Sequence, residues 1–474
     1  MPAPRWLHFS RRRGAAAWWL ILAALASGCA PALRDGERVA PIELRVPLLI
    51  STPDGLLSGD AGEALLEALA GNRQQALMLL RLAHLEQRLT GEPLSAGNVA
   101  ELLVDGPAAY DAMFAAMAGA RHHIHMETYI LDAGETGQRL AEILIERRHA
   151  GVEVRLTYDG FGSRGTPAQY FERLRRSGIE LYEYRPPDPV KDPRLWRINN
   201  RHHRKILVVD GRVGFTGGIN ISDVYRESSF ARRLLRGSRA VDLERGWRDT
   251  HVRITGPAVA HLQALFLTLW NEQPNVNHGG GHAYFPPLPA AGGDLVRMVD
   301  SRGGDERTTL HEVIHAAVSL AGRRLWLTQS YFSPDPELLE AIAAAARRGV
   351  DVRIVLPAHS DAPLVLAASR SHYDQLLQAG VRIFERKDSV LHAKTMVVDG
   401  VWSTVGSSNF DYRSFLHNNE ANAVIVGPGF ARQMERLFER DLQHSVELTL
   451  ESWRRRPLHE RLKETFGSLF RYWL

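Results

Sequence analysis

Two histidine–lysine pairs stand out as chemistry-bearing residues. "HRKILVVDG" (203–211) and "HAKTMVVDG" (392–400) share the pattern His-x-Lys-x4-Asp. Six residues after each Asp comes a turn of small residues that ends in asparagine, "GGIN" (217–220) and "GSSN" (406–409). His203 and Asn220 are seventeen residues apart, as are His392 and Asn409. Further along, "DTHVRITGP" (249–257) aligns with "EANAVIVGP" (420–428), each carboxylate lying seven residues before Gly-Pro.

In an extended segment, side chains two apart project from one face, so each His and its Lys can meet the same ligand. Of 58 basic residues only five are lysine (Lys191, Lys205, Lys387, Lys394 and Lys463), yet lysine fills both motif positions. An ammonium is a compact point charge where guanidinium is a planar fork, so this choice is chemical. Two imidazoles, two ammonium groups and two amides suit a phosphodiester. One imidazole attacks phosphorus, the other protonates the departing alkoxide, and cations and amides hold the non-bridging oxygens. The expected catalytic set is His203, Lys205, Asp210, His392, Lys394 and Asp399. Asn220 and Asn409 are the candidates for substrate phosphate, next to small residues that let backbone come close. Asp249 and Glu420 are the candidate carboxylates that hold the imidazole tautomers. Asp210 and Asp399 read equally well as hairpin-turn residues, because each precedes glycine. No metal and no other cofactor is demanded, since the lysines supply positive charge.

The elements that position these residues are themselves repeated. "RHHIHMETYILDAGETGQRLAEILIERRHAGVEVRLTYDG" (121–160) corresponds to "RRLWLTQSYFSPDPELLEAIAAAARRGVDVRIVLPAH" (323–359). Each reads as strand, amphipathic helix, strand, and "FERLRRSGIELYEY" (171–184) then matches "YDQLLQAGVRIFER" (373–386). The expected fold is α/β, with two homologous lobes related by a pseudo-twofold axis, each a mixed, largely parallel sheet flanked by helices. Expected boundaries are 97–276 and 294–450, joined by a Gly/Pro-rich linker at 277–293 and preceded by a mostly helical region at 29–96. His278 and His282 in the linker, and "HHIH" at 122–125, are weak metal candidates better read as loop and packing residues. Residues 451–474 read as a basic amphipathic helix, with Leu458, Leu462, Phe466, Leu469 or Phe470, and Trp473 at helical spacing, suited to a bilayer interface or to packing on the body.

The duplicated motif, with "NNRHHRKILVVDGRVGFTGGINISDVY", "WRDTHVRITGPAV" and "HAKTMVVDGVWSTVGSSNFDYRSFLHNNE", resembles the phospholipase D superfamily, and within it the bacterial cardiolipin synthases, over roughly residues 98–456. The resemblance implies both motifs meeting between two lobes, a phosphohistidine intermediate with His203 favoured as nucleophile, and phosphatidyl transfer from one phospholipid to phosphatidylglycerol. Hydrolysis by the same centre, as in a phospholipase D or a nuclease, is the enzymatic alternative, and an inactive lipid-binding protein the non-enzymatic one.

Net charge is +4, and Arg5, Arg11, Arg12 and Arg13 account for all of it, leaving residues 29–474 neutral. That argues against nucleic acid as a partner and leaves phospholipids and a membrane surface. The four arginines precede "GAAAWWLILAALASG", an apolar run short for a membrane span but suited to an export signal over residues 1–28. The single cysteine, Cys29, follows at once and excludes a disulfide within the chain. It resembles a bacterial lipoprotein anchor, which places the protein at the periplasmic side of a membrane. Cleavage after Ala26 to a soluble product, or an uncleaved anchor, are the alternatives.

Overall fold

The computed structural model describes residues 46–188, 199–230, 246–273, 284–304 and 309–472. The export segment, Cys29, Lys191, His278, His282 and Trp473 lie outside the described residues. Among the described residues no helix is long and apolar enough to cross a membrane.

The first half builds one mixed sheet from β1 (Leu94–Val104), β2 (His123–Thr128), β3 (Glu153–Asp159), β4 (Glu180–Tyr184), β5 (Ile206–Val209), β6 (Val213–Gly217) and β7 (Thr250–Thr255). Its order is β4-β3-β2-β5-β6-β7-β1. The second half repeats it with β8 (Asp294–Ser301), β9 (Arg324–Gln329), β10 (Asp351–Pro357), β11 (Arg382–Arg386), β12 (Lys394–Val398), β13 (Trp402–Gly406) and β14 (Glu420–Val426). The order there is β11-β10-β9-β12-β13-β14-β8. The parallel part is smaller than the strand–helix–strand reading implies. Within these two seven-strand sets the parallel runs are β2-β3-β4 and β9-β10-β11, where helices Glu135–His149 and Pro336–Arg347 bridge the first two strands of each. From there on neighbouring strands run antiparallel, with tight hairpins at β5-β6 and β12-β13.

The two sheets face each other across a shared core. Ile206 and Val208 of β5 join Val252, Ile254, Val296, Val397, Val405 and Ile425 in it, while Leu207 and Val209 enter the core of the first half. Buried on both faces, β5 reads as the solid apolar run "ILVV" rather than as an alternation. β1 stitches the sheets together: Ser95 pairs with Val296 of β8, and Val99–Val104 pair with β7.

The region before β1 is a hairpin, Leu49–Thr52 and Gly55–Ser58, followed by helices Asp60–Leu69 and Arg73–Thr90. It buttresses the second half. Gln75 Nε2 donates to the carbonyl of Asp399 at 2.6 Å, and the buried Glu86 pairs with Arg297 at 3.0 Å and accepts from Trp402 Nε1 at 3.0 Å. The C-terminal segment differs from the single helix expected. It forms two, Leu450–Arg454 and Leu458–Ser468, interrupted where Pro457 disfavours helical backbone in the residue before it.

Candidate active site

His203 and Lys205 stand in extended backbone just before β5, and His392 just before Lys394, the first residue of β12. Each histidine segment is laddered onto the opposite half. The His203 N–H donates to the carbonyl of Asn419 at 2.9 Å, and the His392 N–H to that of Arg248 at 2.7 Å. Those carbonyls precede Glu420 and Asp249, so the carboxylates are exchanged between halves. Glu420 Oε1 and Oε2 both lie 2.9 Å from His203 Nδ1, and Asp249 Oδ2 lies 2.7 Å from His392 Nδ1. A carboxylate at Nδ1 fixes the Nδ1–H tautomer and leaves the Nε2 lone pair available.

Both ammonium groups donate to the carbonyl of the motif histidine, Lys205 to His203 at 2.7 Å and Lys394 to His392. Lys394 also donates to Ser330 Oγ at 2.8 Å, and Ser330 donates to Asn409 Oδ1 at 2.7 Å. Asn220 Oδ1 accepts from the Ile130 N–H at 3.1 Å, and its Nδ2 donates to Tyr225 Oη at 3.3 Å. His203, Lys205, Asn220, His392, Lys394 and Asn409 are all buried. Burial, with Lys205 and Lys394 nearby, drives His203 well below the usual imidazole range, and burial with Lys394 lowers His392 despite Asp249. Burial also brings Lys205 down to about 7 and Lys394 to about 8. Asp249 is held low because His392 and Lys394 outweigh its burial, whereas burial raises Glu420 against the pull of Lys205. Burial thus favours His203 as the unprotonated nucleophile, Asp249 counters the lowering of His392, and the lysines are poised at their own titration.

The family described as cardiolipin synthase, PLD-like domain, matches residues 113–229 and 314–442, one motif in each stretch. The cardiolipin synthase of Geobacillus kaustophilus is 36% identical over 393 residues, covering 82% of this chain and 75% of that protein. That of Alkalihalophilus pseudofirmus is 35% identical over 411 residues, covering 86% and 77%. The chain belongs to the cardiolipin synthase family of phospholipase D-like proteins. The fold extends further: the phosphatidylserine synthase of Haemophilus influenzae superposes with a TM-score of 0.59 at 15% identity, covering 83% of this chain and all of that one.

The remaining motif residues of this family member have other work. Asp210, expected among the reacting groups, accepts from the N–H groups of Arg121, His122 and His123 at 2.9, 2.8 and 3.0 Å. Asp399 accepts from those of Gly322, Arg323 and Arg324 at 2.9, 2.8 and 2.8 Å. Each carboxylate therefore ties its hairpin turn to the start of the neighbouring strand, β2 or β9. The turn itself has two consecutive positive φ values, 55° and 63° at Asp210-Gly211 and 52° and 72° at Asp399-Gly400. Asp399→Ala is expected to leave three donors unsatisfied and to cost about 2–3 kcal/mol of stability. Thermal unfolding should move down by several degrees while kcat of the folded protein is kept; a lost kcat at unchanged stability contradicts the structural role.

The small residues before the asparagines also serve the carboxylates. A Cβ on Gly218 would lie 2.2 Å from Asp249 Oδ1, so glycine makes room for the carboxylate behind His392. At the equivalent position Ser407 donates to Glu420 Oε2 at 2.5 Å. Sequence reasoning missed three tyrosines. Tyr129 packs edge-on against His203 with centroids 5.0 Å apart, its repeat counterpart Tyr331 lies 6.3 Å from His392, and Tyr225 Oη lies 3.1 Å from His392 Nδ1. The matching Tyr129 and Tyr331 in the two repeats were the available signal. As for "HHIH", His123 Nε2 lies 3.0 Å from Gln263 Oε1 and His125 Nε2 lies 3.0 Å from Glu153, beneath the ring of Tyr284.

Proposed function

We propose that this protein is a phosphatidyltransferase that makes cardiolipin from two molecules of phosphatidylglycerol through a phosphohistidine. The observation that carries it is the pair of carboxylate-anchored imidazoles, each completed by the opposite half and flanked by a buried lysine. In the first step His203 Nε2 attacks phosphorus, the bond from phosphorus to the glycerol headgroup oxygen breaks, and His392, entering as the imidazolium balanced by Asp249, gives its Nε2 proton to that oxygen. In the second, the headgroup hydroxyl of another phosphatidylglycerol attacks phosphorus, His392 takes its proton, and the P–N bond breaks. Lys205, Lys394, Asn220 and Asn409 are the groups for the non-bridging oxygens. Burial of these groups supports transfer over hydrolysis, since excluding water protects the intermediate. The similarity to proteins named cardiolipin synthase supports cardiolipin as the product. Location at the periplasmic side of a membrane, anchored through Cys29, is part of the proposal and rests on the sequence "ALASGC".

Incubation of the full chain with phosphatidylglycerol and EDTA should yield cardiolipin and glycerol, identified by mass spectrometry. Phosphatidic acid as the sole product would make the protein a hydrolase, and no product would overturn the reading. In this assay kcat/KM should fall as pH rises through about 7 to 8, because the cationic form of a lysine is the acidic one and Lys205 and Lys394 lose it there. A profile flat to pH 9 contradicts that role for the lysines.

A further inference from the structure

The C-terminal helix turns a row of apolar side chains away from the protein. Along Leu458–Ser468 and the next residue, Leu458, Leu462, Phe466 and Leu469 are 73, 70, 57 and 72% exposed. Steps of four, four and three place them on one face. The opposite face is docked: Glu464 is buried against Arg456, and a Cβ on Gly467 would meet the Ala368 backbone nitrogen at 2.7 Å. The exposed row therefore belongs to a helix fixed by its back.

Beneath that helix lies a cavity of about 580 Å³, with Arg456, Arg461, Arg471, His372, Ser371 and Ser468 in its wall. Arg456 is paired with Glu464, but among the described residues Arg461 and Arg471 have no carboxylate partner. The segment also borders the surroundings of the histidines. The ring of Tyr472 lies 5.8 Å from Tyr412 and 5.6 Å from His417, on either side of Arg413, whose charge reaches His203. The helix packs on Pro363–Arg370, just beyond Asp361, which accepts from Tyr331 Oη at 2.8 Å.

We propose that the helix Leu458–Ser468 is the face on which the enzyme sits on a bilayer of anionic phospholipid. Leu458, Leu462, Phe466 and Leu469 enter the acyl boundary, while Arg461 and Arg471 hold headgroup phosphates. The proposal rests on the lipid-transfer reading above and adds the surface that delivers the lipid. Charge selects the occupant. Arg454, Arg455, Arg456, Arg461, Lys463 and Arg471 outnumber Glu451, Glu460 and Glu464 in this segment, which complements an anionic surface. A second copy seated on the same face would bring these cations together.

The test uses the full chain with Cys29→Ser and Leu462→Cys, labelled with an environment-sensitive fluorophore. Phosphatidylglycerol vesicles should shift its emission to the blue, and phosphatidylcholine vesicles should do so far less. Arg461→Gln and Arg471→Gln should each weaken the response about five-fold. In a second arm, Leu462→Glu with Phe466→Glu should lower turnover of vesicle phosphatidylglycerol at least about ten-fold, leaving turnover of dispersed short-chain phosphatidylglycerol unchanged. No spectral shift with either vesicle, or equal loss on both substrates, overturns the docking face. A shift that appears with protein concentration alone identifies a second copy and overturns it too. A normal shift without turnover of either substrate would remove the transfer reading and leave the docking face standing.

Discussion

Replacing either His203 or His392 with alanine should lower phosphatidyl transfer by at least about 10^4-fold, as measured by cardiolipin formed per mole of protein. The size follows from the division of labour. A single centre needs one imidazole to carry the phosphatidyl group and another to move the proton of the leaving and entering alcohols, so neither half keeps a working site without the other. The histidines are near enough for the charge of His392 to depress His203, and Lys394 of the second half acts on His203 as well. Brief reaction with labelled phospholipid separates the roles. Acid-labile, base-stable label should form on His203 in the unaltered protein and be absent from the His203→Ala protein. Full activity in either variant would sink the shared centre.

Glu420→Gln and Asp249→Asn should each reduce transfer about 10^2- to 10^4-fold, because the imidazole behind which the carboxylate sits loses its tautomer and its counter-charge. The two variants act on opposite histidines. Glu420 is 217 residues from His203 in the chain, and Asp249 is 143 residues from His392. In imidazole nitrogen-15 spectra, Glu420→Gln should move the Nδ1 resonance of His203 and leave that of His392, with the reverse for Asp249→Asn. Glu420→Gln acting on His392 alone would contradict the exchanged pairing. The exchange also means that neither half, by itself, holds a complete histidine–carboxylate pair.

Much of this site was legible from residue spacing. The equal intervals from His203 to Asn220 and from His392 to Asn409 identify the repeat, and lysine at both motif positions in an arginine-rich chain marks the ligand as an anion. Strand and helix periods locate β2, β3 and β4 and their second-half counterparts, because those periods are local and each residue's neighbours carry the signal. Asp210 and Asp399 were ambiguous for the opposite reason. An Asp-Gly pair signals a turn, but the three N–H groups each carboxylate caps lie on another strand, and no local pattern records them.

The helix after Pro457 presents a similar division. Its apolar spacing was readable, but whether that face is covered depends on which side packs, and packing turned Glu464 and Gly467 inward. The region before β1 gave no chemistry in sequence because its contacts, Gln75 with Asp399 and Glu86 with Arg297, are long-range and serve the second half's framework.

By itself, then, the sequence determined a duplicated phosphodiester chemistry, the α/β elements that carry it and the family to which the chain belongs. Only the tertiary structure decided that Glu420 stands behind His203 and Asp249 behind His392, that Gly218 and Ser407 shape the space for those carboxylates, and that the motif aspartates brace strands. The physical reason is that strand and helix periods are set by the backbone over a few residues. The pairing of a buried imidazole with its carboxylate is instead set by how two sheets pack across one core.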